Sequence, residues 1–101
     1  MQISPDKYRA QALQLVFNYL ATELDLAKKV ASLTEALYQS STSQVSQTSI
    51  ENAQKLLQEH NEAHIELANI RRIKEAYVRT LQENHVITEM QSALYLYTPK
   101  L

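Results

Sequence analysis

The stretch H-N-E-A-H, His60 to His64, sets two imidazoles one helical turn apart, with Glu59, Glu62 and Glu66 around them and Arg71 and Arg72 downstream. Residues four apart share a helix face, which is how H-E-x-x-H proteases present two zinc ligands. The base of that motif directly follows its first histidine; here Asn61 stands there, and Glu62 points almost opposite the His60 side of the helix. A metal at His60 and His64 would therefore need a second chain to complete it. The plainer reading makes His60 a hydrogen-bonded polar residue inside a packed seam, where it can fix register and, because charging a buried imidazole is costly, make assembly sensitive to pH.

Three other patterns could carry chemistry. Histidine-phosphotransfer domains follow their solvent-facing histidine with a lysine and a glycine, and I-E-L-A-N-I after His64 supplies neither. Arg79 and His85 match the short R-x(4–6)-H pattern of HEPN-type ribonucleases, with Thr80 only approximating the polar residue those enzymes prefer after arginine. The run R-R-I-K-E-A-Y-V-R gathers Arg71, Arg72, Lys74 and Arg79 around Tyr77 and could hold RNA or DNA. As a solvated helix face, the same run pairs Glu75 with Arg79 and lets Lys74 lay its stem along the seam with its charge in water. No serine stands in a nucleophile context, and no di-iron E-x-x-H motif occurs. The residues argue against an enzyme and call for no cofactor.

These residues must be positioned by helices. The 101-residue chain has no glycine, and its two prolines lie near the ends, so phosphate-cradling loops and turn-rich β architectures lack their residues. It has no cysteine, which fits a reducing compartment, with the cytoplasm as the expected location. Ten basic and eleven acidic residues give a net charge of −1, which steers the chain toward neither nucleic acid nor anionic lipid. No segment approaches the roughly 18 apolar residues of a membrane span, and Pro5 and Asp6 interrupt the place of a signal sequence.

The expected fold is all-α, a single domain over 1–101. An antiparallel hairpin of two long helices, about 5–39 and 49–83, is joined by a loop over about 40–48 and followed by a short helix over about 88–97. Ser4, Pro5 and Asp6 read as N-cap, N1 and N2; Thr48 with Glu51, and Thr88 with Gln91, read as capping boxes; Asn84 reads as a left-handed C′ residue. In the first helix Leu13, Leu20, Leu24, Ala27, Ala31 and Tyr38, with Val16 and Phe17 beside them, line one side. Tyr19, Leu26, Val30, Leu33 and Leu37 form a second stripe. Together they span about 200° of arc and leave Gln14, Asn18, Asp25, Lys29 and Ser32 as a narrow polar strip. The second helix carries a coiled-coil seam of Leu56, His60, Ala63, Leu67, Ile70, Lys74, Tyr77 and Leu81, with Ile65, Ile73 and Ala76 off it.

One neighbour cannot cover that first arc. Either the third segment closes a three-helix bundle, or two hairpins pair into a four-helix bundle, and the homodimer is the preferred expectation. The hairpin plan resembles that of the Trp-x-Gly secretion substrates, whose defining turn is impossible in a chain with no Trp and no Gly. The expected function is that of a non-enzymatic interaction module, such as an assembly chaperone, adaptor or small inhibitor. It would hold a protein partner through helix faces and the apolar C-terminus, with Ile65, Ile73, Tyr95, Leu96 and Tyr97 as partner-binding residues. A dimeric RNA- or DNA-binding protein using Arg71, Arg72, Lys74 and Arg79 is the alternative, and a dimer bridged by metal at His60 and His64 a further one.

Overall fold

The computed structural model describes residues 5–41 and 46–97. The chain is all-α, with α1 over Pro5–Ser41, α2 over Gln47–Glu83 and α3 over Glu89–Leu96. The two long helices pack against each other, and no strand occurs among the described residues. No described helix is long and apolar enough to cross a membrane.

Helix ends fall where side chains can satisfy orphan backbone groups. α1 opens at Pro5, whose missing N–H would be unpaired there in any case, with Asp6 in the positive first turn; the expected cap Ser4 lies outside the described residues. α1 runs two residues beyond the expected end, and Ser41 Oγ donates to the Tyr38 carbonyl at 2.7 Å. The capping box of α2 is not Thr48 with Glu51. Ser46 N–H donates to Ser49 Oγ at 2.7 Å and Ser49 N–H donates to Ser46 Oγ at 3.1 Å, so α2 begins two residues earlier than expected. In a run this rich in Ser and Thr several frames offer the same spacing. The earlier frame leaves Glu51 inside the helix, accepting from Gln47 Nε2 at 3.2 Å.

The α2–α3 joint corrects a second expectation. His85, not Asn84, takes the left-handed conformation, with φ 59°. Asn84 is the C-cap that follows α2: its N–H and its side-chain amide both donate to the Thr80 carbonyl, each at 3.0 Å. His85 N–H then donates to Gln82 O at 3.0 Å and Val86 N–H to Leu81 O at 2.9 Å, the paired 5→2 and 6→1 bonds of a Schellman stop. Val86 also packs on the core beside buried Leu81. α3 starts from the expected box: Thr88 Oγ1 accepts from Gln91 N–H at 3.1 Å while Gln91 Oε1 accepts from Thr88 N–H at 2.9 Å.

The chain forms two compact units. In the first, residues 1–22 and 70–101, all three helices contribute to one core. Ala12 and Val16 of α1, Val78 and Leu81 of α2, Ile87 of the joint and Tyr95 of α3 are buried together, with Leu13, Leu20, Tyr77 and Leu96 around them. Phe17 meets Tyr95 edge to face at 5.8 Å and Tyr19 meets Tyr77 at 6.0 Å, the geometry that places a positive ring edge on a negative ring face. The third segment thus closes a three-helix core here.

In the second unit, residues 23–69, the described residues belong to the end of α1 and the start of α2 with its cap Ser46. Ala63, Leu67 and Glu23 are buried there, while Leu26, Ala27, Val30, Leu33, Ala36 and Leu37 are only half-buried. Across both units every seam position read from the α2 sequence is buried or half-buried, and Ile65, Ile73 and Ala76 are exposed.

Two outcomes follow from these local arrangements. His85→Gly removes the steric cost of the left-handed backbone and is expected to raise stability by about 0.5–1 kcal/mol in chemical denaturation; an unchanged or lower midpoint would contradict the Schellman assignment. Tyr77 ionises above the ordinary 10.0, first because burial penalises the phenolate and then because Tyr8 and Tyr19 lie near. A group whose folded value is raised stabilises fully below its unfolded value and loses that contribution as pH climbs through the folded one. Stability should therefore fall above about pH 10, and Tyr77→Phe should flatten that alkaline loss in a denaturation series.

Candidate protein-binding surfaces

The histidine pair lies in the second unit, and its geometry is fixed by one threonine. Thr34 Oγ1 donates to the Val30 carbonyl at 2.9 Å and lies 3.1 Å from His60 Nε2. A hydroxyl has one proton, so Thr34 accepts from His60, which places the imidazole hydrogen on Nε2. The other nitrogen, Nδ1, is buried and makes no hydrogen bond among the described residues. His64 stands edge to face with His60, ring centroids 5.8 Å apart. One His60 nitrogen is thus committed to Thr34 and the other is enclosed. No described group of three or more His, Asp or Glu side chains could hold a metal ion. The arrangement suits a register-setting bond across the helix pair.

The basic run does not form one accessible stripe. Lys74 is 2% exposed, so its ammonium is not in water as the sequence suggested; the seam position has drawn in the whole side chain, which has an interaction of its own. Arg79 Nη2 meets the Glu75 carboxylate at 2.9 Å, the expected i,i+4 pair. Arg71 is half-buried and Arg72 exposed, and both are engaged in interactions. Of the two residues matching the ribonuclease spacing, Arg79 is paired with Glu75 and His85 takes the left-handed position that stops α2.

The residues expected to meet a partner divide. Tyr95 is 8% exposed and Leu96 half-buried, both spent on the core of the first unit. α3 docks on the core of the first unit through these two. Ile65, Ile73 and Tyr97 are exposed. The residues missed from sequence are Met90 and Leu94: on α3 they share a face with Tyr97 at positions i, i+4 and i+7, exposed by 84%, 69% and 69%. That spacing was visible in the sequence, but the periodicity of an eight-residue helix does not say which face packs inward.

In the second unit Ile50 and Leu57 of α2 line, with Leu37 of α1 and Ala53, an open groove of about 380 Å³ rimmed by Ser40 and Ser49. No family model, curated protein or solved structure matches this chain.

Thr34→Val should cost about 1 kcal/mol, because it strands the His60 N–H while changing little else. Thr34→Val combined with His60→Leu should recover most of that loss, since removing both partners leaves no unpaired group. Equal destabilisation by the single and double variants would show that the bond does not hold the pair together.

Proposed function

We propose that this chain is a non-enzymatic protein–protein interaction module, an assembly chaperone, adaptor or small inhibitor. It works in the cytoplasm as a homodimer whose paired hairpins make a four-helix bundle, and it holds a protein partner on the outer face of α3. The observation that carries the reading is that α3 is apolar on both sides. Its inner side, Tyr95 and Leu96, is used by the core, and its outer side, Met90, Leu94 and Tyr97, lies in solvent at the spacing by which an amphipathic helix meets a groove. Leaving three large apolar side chains exposed on this short helix and its C-cap Tyr97 forfeits on the order of 25 cal/mol per Å², a cost that a bound partner recovers. Ile65 and Ile73 supply further exposed apolar contacts on α2. The absence of cysteine supports a reducing compartment.

A photoreactive residue placed at Leu94, in cells making the full chain, is expected to yield one discrete protein adduct. That adduct should be lost when Met90→Asp and Tyr97→Asp are added. A smear of unrelated proteins, or an adduct indifferent to those changes, would overturn the α3 surface. The buried side of α3 is untouched by these variants, so the helical content should stay at its original value.

A further inference from the structure

The second unit carries an apolar face that its own two helices do not cover. On α1, Leu24, Ala31 and Tyr38 recur at seven-residue spacing and are exposed, Leu24 by 55% and Tyr38 by 63%. On α2, Ile50, Leu57 and His64 recur at the same spacing and are exposed as well. The Thr34–His60 bond shows that the two rows share one face. Ala31 and Tyr38 flank Thr34 at i−3 and i+4, and Leu57 and His64 flank His60 in the same way, so each row lies beside the residues that touch.

We propose that a second copy of this chain covers this face, packing antiparallel so that α1 crosses its counterpart at Ala31; this gives the surface for the dimer and rests on the four-helix reading above. Three features of the row select a copy of itself. The seven-residue repeat is the one a facing helix reads. The row is symmetric about Ala31, with Leu24 and Tyr38 seven residues to either side, so a two-fold axis at Ala31 sets Leu24 of one copy against Tyr38 of the other around a small residue that allows close approach. Charge follows the same symmetry: exposed Lys28 and Glu35 lie three residues before and four after Ala31, so the antiparallel crossing brings each Lys28 beside the Glu35 of the other copy. Glu35 is already oriented, accepting from Gln39 Nε2 at 3.0 Å. A parallel crossing would set like charges together.

The size of the face agrees. Leu24, Tyr38, Ile50 and Leu57 are each about half exposed, which amounts to roughly 400 Å² of apolar area per copy for side chains of this size. That area is smaller than the roughly 800 Å² per partner of a standard interface, which suits a dimer that dissociates on dilution. A net charge of −1 per chain opposes pairing little.

The test is sedimentation equilibrium of the full chain over a dilution series. The wild type should be a dimer that dissociates on dilution. Lys28→Glu and Glu35→Lys should each weaken it roughly five- to tenfold, because two attractive pairs become two repulsive ones, and the double exchange should restore it to within about twofold of wild type. Ala31→Arg should give a monomer with unchanged helicity. A wild-type monomer at every concentration overturns the proposal, as does a dimer indifferent to both charge reversals or one that survives Ala31→Arg. Those results leave the crosslinked partner on α3 standing, whereas loss of that adduct with the dimer intact would sink the partner surface alone.

Discussion

A helix that meets one neighbour can bury one stripe, and the pattern on α1 is wider than one stripe along its whole length. Everything else in this structure answers that constraint. In the first unit α3 is the answer: Tyr95 and Ile87 complete the enclosure of Ala12, Val16, Val78 and Leu81, and Phe17 is capped at its edge by Tyr95. In the second unit the described residues hold no third helix, and the residues between α1 and α2 remain largely half-buried. The Schellman stop at His85 and the Thr88 box are therefore central to the fold, because they end α2 and launch α3.

Polar groups inside the α2 seam carry specificity at a cost. His60 and Lys74 occupy positions where leucine would pack with less penalty. His60 is tied to Thr34 through one nitrogen, so a slip along the helix would strand a donor as well as misplace apolar side chains. Lys74 is enclosed among neighbours with its interaction made inside the protein, a demand that an apolar residue would not impose. Buried polar groups of this kind constrain which register is acceptable more than they add stability.

Much of this was legible in the sequence, for reasons of period and composition. A chain without glycine had to be helical, and the four-and-three alternation from Leu56 to Leu81 placed eight α2 positions that are all buried or half-buried, although it passed over Val78, which is fully buried. Thr88 and Gln91 announced α3 because only one frame fits them. The start of α2 was ambiguous since serines and threonines crowd it, and the choice between Asn84 and His85 turned on where the last helical bond closes, which no local preference sets. Sequence periodicity gave α1 two apolar stripes but not their assignment. The row with Leu24, Ala31 and Tyr38 is the exposed one in the second unit, while Leu26, Val30, Leu33 and Leu37 face inward. Tyr95 and Leu96 were apolar enough to be either core or interface, and only the docking of α3 decided for core.

The Thr34–His60 bond also bears on the order in which the chain comes together. It joins residues 26 apart, whereas the Tyr19–Tyr77 contact joins residues 58 apart, the difference of their numbers. The entropy of closing a loop grows with the logarithm of its length, so the second contact costs about 0.7 kcal/mol more if formed first. Once Thr34 and His60 have met, nearly half of that loop is already closed, and two shorter segments remain between the contacts. The chain is thereby biased to zip from its turn toward its ends, leaving α3 as the element that locks last.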